Sequence, residues 1–132
     1  MKRDWVLIQD ILKAVEEERF EEYAVEYLKN AEKSTLDSKE RDSMKWAFYG
    51  HLELLLDEGF VRGVKLVVDD NIGEAYWGVA RARLSSSGFD LLDALTTKSI
   101  WARVTNYAEQ NTIPITFELL KTWLLKTMTM TD

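Results

Sequence analysis

Apolar side chains recur at three- and four-residue spacing through residues 1–60, and this pattern predicts three amphipathic helices. The first is predicted over residues 4–19, with Asp4 as its N-cap. The second covers residues 20–33, although its Val, Tyr and Phe side chains would also suit a strand. The third covers residues 39–58, and Gly59 follows it where many helices end in a left-handed residue.

Two segments rich in β-branched and aromatic residues come next, residues 60–68 and 75–84. The loop between them contains Asp, Asn and Gly, so the pair is predicted to form a β-hairpin. Strict alternation along the second strand would give it two faces, one with Tyr76, Gly78, Ala80 and Ala82 and the other with Trp77, Val79, Arg81 and Arg83.

The rest of the sequence returns to helical spacing. A serine run at residues 85–87 offers N-caps for a short helix over residues 89–95. A further helix is predicted over residues 96–108, and it ends ahead of Pro114 because the residue before a proline is driven out of helical geometry. A last helix is predicted over residues 116–128.

The order of these elements predicts the fold class. A chain of 132 residues suffices for one modest domain with one hydrophobic core. We predict a mostly helical α+β fold, a single winged helix-turn-helix-like domain with a two-stranded wing. Residues 1–95 would form the winged-helix core, and residues 96–132 would add C-terminal helices.

The net charge of −6 is unevenly distributed along the chain. Residues 1–60 contain nine Lys/Arg and fifteen Asp/Glu, whereas residues 61–132 contain eight of each. An acidic first half lowers the expectation of duplex binding, because phosphate contacts require basic side chains. The chain has no cysteine and no apolar run long enough to cross a bilayer, so we expect a cytoplasmic protein without a signal peptide or a membrane partner.

Three stretches resemble one uncharacterised family: the start MKRDW, the segment HLELLLDEGFVRG at residues 51–63, and the segment RLSSSGFDLLDAL at residues 83–95. Most of the chain resembles this domain of unknown function, which occurs in phages, prophages and bacteria. The resemblance implies a winged-helix-like fold and a mobile-element setting. It implies no activity and no binding residues, and residues 20–43 lie outside its motifs.

The outer face of the third helix is the first candidate binding surface. Opposite the apolar stripe lie two acids, one lysine and two aromatic residues, a composition closer to a protein interface than to a nucleic-acid face. With the acidic tip of the hairpin, it gives the predicted partner-binding set Trp46, Tyr49, Glu53, Asp69, Asp70 and Glu74. As an alternative, Trp46 and Tyr49 pack beneath residues 20–33 and contact no partner.

A dimeric DNA-binding regulator is the alternative function. Its phosphate contacts would come from Lys39, Arg41, Lys45, Arg81 and Arg83. Arg62, Lys65, Arg81 and Arg83 could instead neutralise nearby acids through cross-strand ion pairs, and we favour that interpretation.

The last helix has a broad apolar face. Its candidate dimer contacts are Phe117, Leu120, Trp123 and Leu124. The equally weighted alternative is that this face docks on the first helix.

Residues with catalytic potential are few. His51 is the single histidine and lies on the apolar stripe of the third helix, where a satisfied core side chain is the expected role. The acidic run at residues 16–22 is interpreted as a solvated face. We expect no enzyme activity, no metal and no cofactor, and we expect a module that binds a protein, such as a host regulator or a defence component.

Overall fold

The computed structural model describes residues 2–33 and 37–129, with side chains as far as Lys126, so residues 34–36, between the second and third predicted helices, lie outside the described residues. It is a mostly helical α+β structure, which confirms the predicted class. Three helices, a two-stranded antiparallel hairpin and three further helices follow in order: α1 (Trp5–Glu16), α2 (Phe20–Lys33), α3 (Ser38–Asp57), β1 (Val61–Asp69), β2 (Glu74–Leu84), α4 (Ser86–Thr96), α5 (Lys98–Asn111) and α6 (Phe117–Thr129).

The chain divides into two compact units, residues 1–85 and 86–132. The predicted division at residue 95 lies one helix later, because α4 packs with α5 and α6 rather than with the preceding elements. The prediction of a single domain stays a prediction.

The core of the first unit lies between α1 and α3. α1 buries one complete stripe, including Ile8, Ile11 and Leu12, and α3 contributes Phe48, Leu52 and Leu55. The predicted N-cap is confirmed, since the Asp4 carboxylate accepts a hydrogen bond from the Leu7 N–H at 3.1 Å. α1 also packs on β2, and β1 packs on α3, so the hairpin lies against the helices.

The helices α1 and α3 are followed by the same type of chain reversal. Gly59 adopts a φ of +75°, and the Phe60 N–H donates to the Leu55 carbonyl at 2.9 Å. Glu18 adopts a φ of +59° at the end of α1, where the Arg19 N–H donates to the Ala14 carbonyl at 2.9 Å. A left-handed residue therefore reverses the chain after each helix, but only α3 uses glycine for it.

A bulge interrupts the hairpin near its base. Arg62 pairs with Arg83 and Val64 pairs with Val79, so one residue of β1 lies opposite three of β2. Arg81 has a φ of +63° inside this bulge. The strict alternation predicted for β2 is therefore wrong beyond the bulge, because the extra residues turn Ala82 to the half-buried side with Trp77 and leave Arg83 exposed.

The second unit is a three-helix arrangement in which α4, α5 and α6 all contact one another. Its buried side chains include Leu91 and Leu92 of α4, Ile100 and Val104 of α5, and Leu120 of α6.

Candidate functional site

The middle of α3 is covered along its whole circumference. Every residue from 44 to 52 is buried or half-buried, and exposed side chains occur only in the first turns and from Glu53 onward. The exposed residues of the first turns, such as Lys39 and Asp42, are of both charges. α3 is therefore a central helix of the first unit rather than a helix with one free face.

Tyr49 belongs to the interior and not to the outer surface. Its ring is 5% exposed and lies 5.6 Å from the Trp46 ring and 5.7 Å from the Phe48 ring. Burial raises the pKa of the Tyr49 hydroxyl, with a smaller contribution from the Glu74 carboxylate, while a hydrogen bond with Trp77 opposes the shift. Of the two alternatives for this residue, interior packing is the one that the structure shows. Trp46 is half-buried and keeps part of its ring at the surface.

Residues 20–33 form the helix that covers one side of α3. The Tyr27 ring stacks on the Phe48 ring at 5.1 Å, and the Tyr27 hydroxyl donates to the Met44 carbonyl at 3.1 Å. Tyr23 lies 6.3 Å from the same Phe48 ring. The apolar spacing of residues 20–33 predicts a helical stripe, but it does not predict that this stripe packs against Phe48 of α3.

The hairpin tip covers the other side of α3. The Lys45 ammonium lies 3.5 Å from the Glu74 carboxylate and 5.5 Å from the Trp46 ring centroid. Tyr49 and Glu74 line one groove together with residues of α2 and the start of α3, among them Leu28, Ala31, Arg41 and Asp42. We call this the α3–tip groove.

The predicted partner-binding residues are brought together only in part. Glu74 and Tyr49 both line the α3–tip groove, whereas Trp46 is not among its lining residues, and Asp70 is exposed in the loop. Asp69 is half-buried and accepts a hydrogen bond from the Asn71 N–H at 3.1 Å, which shapes the loop. Glu53 is exposed about two helical turns along α3 from Trp46, away from this groove.

The predicted DNA-contacting residues divide into two separate groups. Arg41 and Lys45 line the α3–tip groove near the hairpin tip, with Lys39 in the same first turns of α3. Arg81 and Arg83 lie at the opposite end of the hairpin, about 20 Å away at a strand rise of roughly 3.3 Å per residue. The two groups do not form one continuous basic footprint.

Among the residues that the structure describes, no carboxylate lies within ion-pair distance of the hairpin's cations. Within the described ranges, Arg62, Lys65, Arg81 and Arg83 form no ion pair, and Arg62 lies directly across from Arg83. The predicted cross-strand ion pairs are therefore wrong, because the register places arginine opposite arginine and Gly78 opposite Lys65.

His51 is a core side chain with both ring nitrogens in hydrogen bonds. It is 1% exposed, its Nε2 accepts from the Asp4 backbone N–H at 2.8 Å, and its Nδ1 lies 2.6 Å from the Ala47 carbonyl oxygen. The ring is therefore neutral with its proton on Nδ1. His51 joins the beginning of α1 to the middle of α3, a link between two of the sequence motifs.

The candidate dimer contacts of α6 differ in accessibility. Leu120 is fully buried, whereas Phe117, Trp123 and Leu124 are half-buried. Trp123 packs edge-on against Tyr107 at 5.8 Å, and the Lys126 ammonium lies 4.9 Å from its ring centroid. Leu120 is thus unavailable for a contact between chains, and among the side chains of α6 described up to Lys126, Leu125 is an exposed apolar one.

Two further structural properties concern the described part of the chain. In it, no group of three or more acidic or histidine side chains is arranged to hold a metal ion. Over the same residues, no helix combines the length and the apolar character needed to cross a bilayer.

Comparison with known proteins identifies the family. No curated protein and no solved structure matches this chain. The model of the family described as hypothetical protein (DUF2513) matches residues 2–114, from the segment that caps α1 to the proline after α5, with α6 outside the match. The chain with the MKRDW start, the central α3 and the bulged hairpin thus belongs to the DUF2513 family.

Proposed function

We propose that this protein is a non-enzymatic, winged-helix-like binding module of phage or prophage type that acts through a protein partner. The observation that carries the proposal is the contact of the hairpin tip with α3. The Lys45 ammonium lies 3.5 Å from the Glu74 carboxylate of the tip and 5.5 Å from the Trp46 ring centroid, so an acid of the tip and an aromatic ring of α3 flank the same cation. Buried aromatic residues with charged groups around them are typical of protein interfaces.

The charge of this surface indicates the chemistry of the partner. The acids Glu32, Asp42 and Glu74 line the α3–tip groove beside the cations Arg41 and Lys45, and Lys45 is engaged by Glu74. Charge complementarity favours a partner with a basic face, as found on proteins that handle nucleic acid. A host regulator or defence component of that kind, held by mimicry of nucleic-acid charge, is the partner that we propose.

The alternative, a dimeric DNA-binding regulator, receives less support. A recognition helix presents donors on an exposed face toward base edges, whereas residues 44–52 of α3 offer no exposed side chain. Fluorescence anisotropy with labelled random duplex, at low and moderate salt, tests it directly. Salt-sensitive duplex binding that Lys39→Ser and Arg41→Ser weaken would restore this alternative.

Affinity capture from a bacterial extract, followed by measurement with the purified partner, tests the protein interaction. Asp70→Lys reverses an exposed charge at the loop, and Glu109→Lys makes the same change on exposed α5 of the second unit as a control. We expect Asp70→Lys and Trp46→Ala to weaken partner binding about tenfold or more, with Glu109→Lys unchanged.

Thermal unfolding of each variant distinguishes a lost contact from a lost fold. The proposal requires that Asp70→Lys unfolds at the wild-type temperature. If each captured protein binds both charge variants equally, or leaves the complex after nuclease treatment, the proposed surface is wrong.

A further inference from the structure

The outward face of the hairpin stem has a charge opposite to that of the whole protein. The stem, residues 61–68 and 75–85, contains four Lys/Arg and no Asp/Glu, while all three acids of the hairpin lie in residues 69–74. The acidic residues of the tip and the basic residues of the stem are thus separated along the hairpin. Local positive potential can exist on a protein with negative net charge.

Two arginines of the stem face each other, and neither forms an ion pair with a carboxylate in the described part of the chain. Arg62 and Arg83 are cross-strand partners, and both are exposed. Like charges directly opposite each other destabilise a strand pair. Arg83 donates one hydrogen bond to the Arg81 carbonyl at 3.2 Å, and Arg62 reaches toward the end of α3 near Gly59. Neither contact neutralises the pair with a carboxylate, so an anion from outside the chain would relieve the repulsion.

An exposed aromatic ring lies farther along the same face. Tyr76 is 57% exposed and pairs with Val67, next to the Lys65–Gly78 pair. Gly78 has an ordinary φ, and a Cβ there would meet nothing within 4 Å, so the fold itself does not require glycine. Glycine inside a strand costs stability and often marks a place where a ligand approaches the backbone.

We propose that this stem face, formed by Arg62, Lys65, Tyr76, Gly78 and Arg83, binds single-stranded nucleic acid. One base stacks on the Tyr76 ring over the open surface at Gly78, and the adjacent phosphates contact Lys65, Arg83 and Arg62. An aromatic ring beside a row of cations is the usual arrangement for unpaired strands, because stacking needs a base that is free of its partner. A duplex would leave Tyr76 unused.

The surface is distinct from the α3–tip groove. Tyr76 and Trp77 lie on opposite faces of β2, and Trp77 is the one directed toward the helices, where its ring meets Phe20 at 5.9 Å. Arg81 is left out of the stem face, because it lines a depression together with Glu18 and Glu21. The nucleic-acid proposal therefore goes beyond the proposed protein interaction and does not depend on it.

Anisotropy of a labelled oligothymidylate of about twelve nucleotides, titrated with the full chain at low salt, tests the proposal. We expect binding that weakens with salt with a log–log slope of about −2, since each phosphate contact to a single strand contributes roughly −0.7. Tyr76→Ala should weaken binding about tenfold, the value of one stacked base. Arg83→Ser should weaken it and make the salt slope shallower.

Matched controls come from the second unit and from the ligand. Phe89→Ala removes an exposed aromatic ring from α4, and Arg103→Ser removes an exposed guanidinium from α5; both should bind as wild type. An abasic strand of equal length should bind about tenfold more weakly than oligothymidylate, because it cannot stack.

Three results would overturn the proposal: no binding at the lowest salt, equal losses in the control variants, or a duplex bound as tightly as the single strand. A fourth, equal binding of the abasic strand and of polyglutamate, would assign the face to acidic protein segments instead.

Discussion

Gly63 is the residue where the hairpin depends most directly on the absence of a side chain. Its φ is +81°, and a Cβ would overlap the carbonyl group of Arg81 and lie 2.8 Å from the Ala80 carbonyl oxygen. The two strands can therefore approach at the bulge only because this position has no side chain. A glycine in the interior of a predicted strand is the feature of the sequence that indicates such a bulge.

Gly63→Ala is expected to lower the free energy of unfolding by at least about 2 kcal/mol. The alanine would have to adopt a positive φ, and its Cβ would overlap the backbone of the neighbouring strand. Gly78→Ala on the neighbouring strand is the control, since its Cβ would enter open space. It should leave stability unchanged or raise it by up to about 1 kcal/mol. Urea denaturation of both variants measures the difference, and equal effects would contradict the proposed role of the bulge.

His51 provides a second prediction at the residue scale. Its Nε2 accepts the Asp4 N–H, so removing the ring leaves that donor without its partner and opens a cavity beside α1. His51→Ala should cost about 2–4 kcal/mol of unfolding free energy. Nitrogen NMR of the wild-type ring should show a bare Nε2 and a protonated Nδ1. The opposite tautomer would contradict the hydrogen bond between the two motifs.

At the scale of elements, the two helix ends of the first unit make a natural comparison. Gly59 follows α3 and Glu18 follows α1, and both residues adopt a left-handed backbone conformation. The carboxylate of Glu18 also lies at the negative end of the α1 dipole, where an acid is unfavourable. Backbone conformation and charge both predict that glycine is the better residue at position 18.

Glu18→Gly is therefore expected to raise the free energy of unfolding by about 0.5–1 kcal/mol. Glu18→Gln separates the two causes, because it removes the charge and keeps the strained backbone. It should recover only a few tenths of a kcal/mol. Thermal and urea unfolding give both values. A loss of stability in Glu18→Gly would show that the Glu18 side chain makes a contact whose stabilisation outweighs the backbone strain and the unfavourable charge together.

Elements also show what periodicity can and cannot predict. The apolar spacing of α1 and α3 was sufficient to place both helices, since each has a stripe that must be buried. The spacing could not show that the opposite side of α3 is covered as well. That cover comes from Tyr27 of α2 and Glu74 of the hairpin tip, which are distant in sequence. The spacing alone therefore leaves two positions open for Tyr49, the outer surface and the interior beneath residues 20–33.

The same limit applies to the candidate site. Alternation predicts which residues of β2 share a face only as far as the bulge. Beyond the bulge, Ala82 and Arg83 lie on the faces opposite to the predicted ones. The predicted DNA-contacting set combines basic residues of α3 with basic residues of the stem because they share a charge. A shared charge does not indicate how far apart two side chains lie in the folded protein. Their separation along the hairpin follows from the register and the position of the tip, which only the folded structure contains.

At the scale of the whole molecule, the aromatic packing around α3 predicts how stability depends on alkaline pH. Burial raises the pKa of Tyr23 above its ordinary value of 10.0, as it does for Tyr27 and Tyr49. Well below pH 10 these hydroxyls are protonated in both the folded and the unfolded chain, and they contribute no pH dependence. Above pH 10 the unfolded chain loses these protons first, so the folded state binds more protons and stability falls as pH rises.

We therefore expect the urea midpoint to be flat between about pH 8 and 9.5 and to decline beyond about pH 10. Tyr49→Phe keeps the ring and removes the titrating group, so its decline should be shallower than that of wild type. Tyr107→Phe, in the second unit and exposed, is the control and should follow the wild-type curve. A wild-type decline that Tyr49→Phe leaves unchanged would contradict a contribution of Tyr49 and would assign alkaline unfolding to other titrating groups.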